Sequence, residues 1–119
     1  MKKLLMIALV GAGLAACSKP NHNPNQVFGP QQSNTVVTIA QAKTFNDDSI
    51  VLLEGNIVRQ IDNDEFIFRD ATGEIKIEVE DHAWNGLNVT PQDKIRIQGK
   101  LDKEWNKADL DVFRVEKAQ

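Results

Sequence analysis

Residues 65–80 read EFIFRDATGEIKIEVE, and this stretch decides the fold class. Apolar and polar residues alternate on both sides of a short turn at residues 71–73, which is the pattern of two antiparallel strands with one buried face. The side chains predicted to share the buried face are Phe66, Phe68, Ile75, Ile77 and Val79. This period of two predicts a β-hairpin at the centre of the chain.

Strand-like segments also flank this hairpin on both sides. They cover residues 50–61, 94–101 and 108–115, and the last two are joined by a loop predicted at residues 102–107. Glycines interrupt two of the segments, at Gly55 and Gly99. Such a glycine inside a strand predicts a bulge or a sharp bend.

Two short helical segments complete the pattern. Thr38 with Gln41 three residues later forms a capping-box signature, and the helix that it starts is expected to end near residues 46–48. Residues 81–89 break the strand alternation and are expected to hold one helical turn, with Gly86 as its C-cap.

The predicted order is therefore a short N-terminal helix, three strands, a short helical connection and two strands. This is the order of an all-β, five-stranded OB-fold Greek-key barrel. An SH3-like barrel or a small open sheet is the alternative, and the helical connection between strands 3 and 4 favours the OB-fold.

The N-terminus predicts export and a lipid anchor. Two lysines precede an apolar run that is too short to span a bilayer, so residues 1–16 are expected to be a signal peptide. Cys17, the only cysteine, follows Leu14-Ala15-Ala16, a spacing that resembles the bacterial lipobox, and Ser18 after it favours the outer membrane. Residues 17–34 are then expected to form the lipidated cysteine with a flexible tether, and residues 35–119 the OB-fold domain. The alternative is an ordinary signal that is cut near Ala16.

Composition narrows the classes of partner. The chain has 14 basic and 17 acidic side chains, a formal net charge of −3. Proteins that bind nucleic acid are typically basic, so no nucleic-acid partner is expected. One cysteine allows no disulfide within the chain, and the fold must therefore depend on its apolar core.

Several motifs together resemble the bacterial OB-fold (BOF) family of stress-induced periplasmic proteins, the YgiW/YdeI group, over roughly residues 28–117. They are FGP at 28–30, TIAQAKT at 38–44, LEGNIV at 53–58, FRDATG at 68–73, WNG at 84–86, VTP at 89–91 and DKEWN at 102–106. The resemblance implies an OB barrel without DNA-binding residues, an envelope location and a role in stress tolerance, with cell-wall sugars suggested as ligands. Many members carry an ordinary cleaved signal, whereas this chain has Cys17.

No catalytic or metal-binding constellation emerges from the sequence, so we predict neither an enzyme nor a cofactor. His82 has no nucleophile beside it in sequence. Carboxylates at alternate positions, as in Glu78 with Glu80 and Asp109 with Asp111, are typical of a solvated strand face, and zinc would need a thiolate or histidine cluster.

The tryptophans are the strongest candidates for a ligand site. Each precedes an asparagine in a predicted connecting segment, which predicts a glycan-binding edge made of Trp84, Asn85, Trp105 and Asn106. An indole face stacks on the apolar face of a sugar ring, and an asparagine amide both donates to and accepts from hydroxyl groups. The alternative is that each tryptophan plugs one end of the barrel.

The sequence thus predicts a non-catalytic envelope OB-fold module, located in the periplasm on an outer-membrane lipid anchor. It is expected to act in stress tolerance by binding peptidoglycan or another envelope glycan. Two alternatives stay open. One is a protein-interaction or structural lipoprotein without affinity for sugars, which would bind an envelope protein. The other is a periplasmic protein that binds cations.

We predict that Cys17→Ser will abolish membrane anchoring, because serine offers no thiol for acylation. The parent protein should partition into the detergent phase of a Triton X-114 extract, and the variant should stay in the aqueous phase. Ser18→Ala, beside the acylation site, is the control and should partition like the parent. Equal partitioning of parent and Cys17→Ser would rule out the lipid anchor.

Overall fold

The computed structural model describes residues 32–118. The predicted signal peptide, Cys17 and most of the predicted tether lie outside these residues. Within the described part, none of the helices has the length and apolar character that crossing a membrane requires.

Six strands and two helices of one turn each make up the domain. In chain order they are β1 (Gln32–Val37), α1 (Ile39–Ala42), β2 (Ile50–Gln60), β3 (Glu65–Asp70), β4 (Gly73–Val79), α2 (Asp81–Trp84), β5 (Ile95–Glu104) and β6 (Lys107–Lys117).

Strands β2 to β6 close into a barrel, which confirms the predicted five-stranded OB-fold. The strand order is β1-β2-β3-β4-β6-β5, and an antiparallel pairing of β2 with β5 closes the ring. The β4–β6 pair is parallel. Strand β1 was not predicted: it adds to β2 in parallel and includes residues 32–34, which we had assigned to the tether.

The barrel interior holds the alternate residues of every barrel strand. All five apolar residues predicted to line the central hairpin are buried, and so are Ile95, Ile97, Leu110 and Val112. Helix α1 closes part of the core with Ile39 and Ala42, both fully buried.

Gly55 and Gly99 stand where strands approach too closely for a side chain. A Cβ at Gly55 would lie 2.2 Å from the carbonyl oxygen of Arg69, and one at Gly99 would lie 2.5 Å from that of Asp111. The β5–β6 register shifts between Gln98 and Gly99, which confirms a bulge there. The register shift in β2 falls instead between Ile57 and Arg59, so of the predicted bulge or sharp bend at Gly55 the bulge does not lie at that residue.

Helix α1 is shorter than predicted but is capped as predicted. The Thr38 hydroxyl accepts from the Gln41 backbone N–H, and the Gln41 side chain accepts from the Thr38 N–H at 2.9 Å. The helix ends at Ala42, after which i→i+3 bonds such as Phe45 N–H to Ala42 O tighten the chain into a turn.

Two turns also differ from the prediction. Helix α2 has Asn85, with φ 50°, as its C-cap rather than Gly86. The predicted loop at residues 102–107 is a two-residue hairpin turn, because β5 extends to Glu104 and pairs it with Lys107. Trp105, with φ 54°, occupies the first position of this turn.

Asp70 joins the β3–β4 turn to the start of α1. Its carboxylate accepts from the backbone N–H of Ile39 (2.8 Å), of Thr72 (2.7 Å) and of Gly73 (3.2 Å), and from the Thr72 hydroxyl (2.6 Å). Burial raises the pKa of Asp70, but these hydrogen bonds outweigh burial and hold the pKa below its usual value. The ionised carboxylate therefore stabilises the fold above the pKa of the unfolded chain, and this contribution is lost as the pH falls toward the folded pKa.

We predict that Asp70→Asn lowers the free energy of unfolding at pH 7 by about 1–2 kcal/mol, the range for a charged cap. For a domain of this size that is a fall in melting temperature of roughly 4–16 °C. The difference in stability between parent and variant should shrink as the pH falls below about 4 and the Asp70 carboxylate of the parent becomes protonated. Asp62→Asn, in an exposed turn, is the control, and an equal loss in both variants would contradict the assigned role of Asp70.

Candidate functional site

A groove of about 400 Å³ lies at one end of the barrel. It runs between the end of β2, the start of β3 and the segment that follows α2. Its lining is partly apolar and partly polar: Ile57, Val58, Arg59, Gln60, Phe66, Trp84, Leu87, Asn88, Val89, Thr90 and Pro91.

Trp84 forms the aromatic wall of this groove. It is the last residue of α2, is half-buried, and packs against the core. Its ring centroid lies 5.6 Å from that of Phe66, with an interplanar angle of 84°. This edge-to-face contact fixes the indole orientation. The tryptophan thus contributes to the core and also presents apolar surface to the groove.

The opposite rim is held in place by hydrogen bonds from β2. The Asn56 amide donates to the carbonyls of Pro91 (3.0 Å) and Asp93 (2.9 Å). Asp93 accepts from the Thr90 N–H at 2.7 Å, and this bond is the main reason that the pKa of Asp93 is lowered. The loop at residues 90–93 is therefore pre-organised beside the groove.

Polar side chains surround the groove entrance. Arg59 and Gln60 are exposed at the end of β2, and Asn88 and Thr90 are exposed on the loop. Amide, hydroxyl and guanidinium groups around an aromatic wall are suited to a ligand that carries hydroxyl groups on an apolar ring.

The four residues of the predicted glycan edge occupy two different places. Trp84 lines the groove at the end of β2, whereas Trp105 and Asn106 line a separate depression of about 280 Å³ with Lys43, Lys103 and Lys107. Asn85 is exposed and caps α2. The alternative that both tryptophans plug the barrel fits Trp84 in part and is wrong for Trp105, whose relative exposure is 101 %.

A second feature is an acidic row on the outer face of the sheet. In the strand register, Glu65 of β3 lies opposite Glu78 of β4, and Glu78 lies opposite Asp111 of β6. Three carboxylates therefore lie side by side on neighbouring strands. Carboxylate oxygens of Asp64, Glu78 and Glu80 also lie within 4.8 Å of one another.

The surroundings of Glu78 shift the pKa of its carboxyl group. Burial, then the neighbouring charges of Asp111 and Asp64, raise its pKa. Sequence alternation indicated only that these residues face solvent. These carboxylates lie close together because of the cross-strand register, which the alternation within one strand does not specify.

His82 shows no arrangement for nucleophilic catalysis. It is the only histidine in the described range, its side chain is 76 % exposed, and its Nδ1 lies 3.7 Å from a Glu80 carboxylate oxygen. A base poised for catalysis is normally held in a cleft with a nucleophile within hydrogen-bond distance.

Comparison with known proteins agrees with this architecture. The family model described as bacterial OB fold (BOF) protein matches residues 13–117. Among curated proteins, one from Haemophilus influenzae is 45 % identical over all of both chains. Protein YgiW of Escherichia coli K12 is 42 % identical over 98 % of each chain. The calcium-regulated OB-fold protein CarO of Pseudomonas aeruginosa is 33 % identical over 74 % of this chain and 76 % of its own.

Solved structures with the same fold include a close relative and distant ones. That of ygiW from E. coli superposes with a TM-score of 0.71 at 40 % sequence identity, covering 77 % of this chain and 100 % of the other. The telomere capping protein Ten1 from Saccharomyces pombe, at 15 % identity and a TM-score of 0.56, shares the fold alone.

Proposed function

The chain belongs to the bacterial OB fold (BOF) family, and we propose that it is a non-catalytic binding module of the bacterial envelope that holds a glycan in the groove beside Trp84. Peptidoglycan is the proposed glycan. The observation that carries this proposal is the half-buried indole, oriented by Phe66, along a groove with amide side chains at its rim.

The shape and chemistry of the groove suit a sugar ring. Stacking needs an aromatic face of fixed orientation, which the contact between Trp84 and Phe66 supplies. Sugar hydroxyl groups need partners that both donate and accept, which the amides of Gln60 and Asn88 supply. The loop at residues 90–93 is already ordered by hydrogen bonds, which reduces the entropy cost of binding.

Charge argues against a nucleic-acid ligand. OB-folds bind oligonucleotides over the strands that correspond here to β3 and β4. On that face this chain carries the acidic row of Glu65, Glu78 and Asp111, which would repel phosphates. The sugar rings of a glycan strand carry no phosphate and do not meet this repulsion.

The proposed location follows from the N-terminal sequence. Export by the signal peptide and acylation of Cys17 would place the domain in the periplasm on the outer membrane, within reach of the cell wall. Wall binding in that compartment is the proposed route by which the protein acts in stress tolerance.

We predict that purified insoluble peptidoglycan will pull down the mature chain carrying Cys17→Ser, and that Asn88→Ala will weaken binding about fivefold, as expected for one lost hydrogen bond of about 1 kcal/mol. Trp84→Ala should bind still more weakly. Trp105→Ala, which lies outside the groove, is the matched control and should bind like the parent.

Each variant is to be compared at equal folded fraction, measured by circular dichroism. A parent that stays in the supernatant would overturn glycan binding and favour a protein partner. Loss of binding in Trp105→Ala alone would move the site to the hairpin.

Cation binding is a second candidate function, favoured by the clustered oxygens of Asp64, Glu78 and Glu80. Calcium prefers several carboxylate oxygens. One relative, CarO, is named a calcium-regulated OB-fold protein. Burial is the main cause of the raised Glu78 pKa, and a bound cation would neutralise the neighbouring charges of Asp111 and Asp64 that raise it further.

We predict that Glu78→Gln raises the melting temperature at pH 7 in calcium-free buffer by about 2–5 °C, because it removes cross-strand like-charge contacts worth roughly 0.2–1 kcal/mol each. A raised folded pKa means that ionisation of Glu78 destabilises the fold as the pH rises, so the gain should vanish near pH 4. Calcium should stabilise the parent and not the variant if the cluster binds it.

Glu74→Gln on the same strand is the control. Glu74 pairs with Arg69, so this variant should gain no stability and should keep the calcium response of the parent. A parent whose melting temperature is unchanged by millimolar calcium would exclude calcium as its ligand.

A further inference from the structure

Trp105 is an unusual residue for the tip of a hairpin. Its side chain is fully exposed, and its φ of 54° lies in the left-handed region that glycine and asparagine adopt with least strain. A bulky residue in this conformation costs free energy. Because the indole is fully exposed, packing within the domain does not offset that cost.

The register of the sheet places this tip at the end of the domain where the N-terminal segment enters. Gln32 of β1 lies opposite Ile50 of β2, and Ile50 lies opposite Lys100 of β5. Strand β1 is parallel to β2, and β5 is antiparallel to both. Strand β1 therefore begins, at Gln32, at the end of the barrel toward which β5 runs from Lys100 to Trp105.

We propose that the β5–β6 hairpin tip rests on the bilayer that anchors Cys17, with the Trp105 indole in the headgroup layer. This proposal rests on the lipid anchoring of Cys17 proposed above. Tryptophan is enriched at membrane–water interfaces, where its apolar body and its N–H group are both satisfied. The roughly 15 residues between Cys17 and Gln32 span at most about 50 Å, which keeps the tip within reach of the membrane.

Charges at the tip indicate which lipid it contacts. The three lysines that line the depression beside Trp105 (Lys43, Lys103 and Lys107) are balanced by three nearby carboxylates, those of Asp47, Asp102 and Glu104. Attraction to anionic lipid is therefore weak, and the indole supplies the contact. Zwitterionic phosphatidylcholine should suffice.

The contact would also orient the proposed glycan groove. Gln60, on the groove rim, lies ten residues beyond Ile50 on β2, about 30 Å along the strand from the membrane-facing end. A domain that rests on Trp105 would hold the groove away from the bilayer.

The test uses the mature chain coupled through Cys17, its only cysteine, to a maleimide lipid in phosphatidylcholine vesicles. This coupling does not depend on natural acylation, so its outcome is separate from that of the Cys17→Ser experiment. Trp84→Phe leaves Trp105 as the only tryptophan. We expect its emission to move to shorter wavelength on coupling, and brominated acyl chains to quench about half of its intensity.

The matched control is a triple variant, Trp84→Phe, Trp105→Phe and Ile61→Trp, which moves the indole to the exposed turn at the far end of β2. Its emission should be unchanged by brominated lipid. Quenching of Trp105 alone supports the proposal. Absence of quenching at Trp105, or equal quenching at both positions, would overturn it.

Discussion

Strand β2 must pair with two different barrel strands along its length, and the rest of the barrel depends on this constraint. Residues 50–55 pair with β5, and residues 56–60 pair with β3. The change of partner occurs at Gly55, where the backbone of Arg69 leaves no room for a Cβ. A side chain there would force β3 away from β2, and the ring would open between these two strands.

Closure of the ring has consequences on the outer surface. It brings β3, β4 and β6 into a register in which the outward carboxylates of Glu65, Glu78 and Asp111 share one row. Burial, together with the charges of Asp111 and Asp64, raises the pKa of Glu78, so its ionisation is a cost to stability. The same closure places the end of β2 against α2 and its following loop, and so creates the groove beside Trp84.

Local pattern predicted much of this architecture. The pattern of apolar residues was sufficient for the five barrel strands, and the spacing of Thr38 and Gln41 was sufficient for the capping box. Strand β1 could not be predicted in the same way, because QSNTVV is largely polar and becomes a strand by pairing with β2. The exposure of Trp105 depends on a turn of two residues, whereas the sequence alone suggested a longer loop. The carboxylate cluster depends on register, which no single strand encodes.

The hairpin that carries Trp105 is fixed to the barrel close to its tip. The Lys103 ammonium donates to the backbone carbonyls of Lys43 (2.9 Å) and Phe45 (2.8 Å). The backbone N–H of Lys103 donates to the Asp47 carboxylate (2.8 Å). These bonds join the hairpin to the turn after α1, which the Thr38 capping box and Asp70 hold in place at its other end. The hairpin tip that carries the indole, the helix turn and the strand by which the N-terminal segment enters thus form one connected end of the domain. A surface contact made there would set the orientation of the whole barrel, because little freedom remains between the tip and the core.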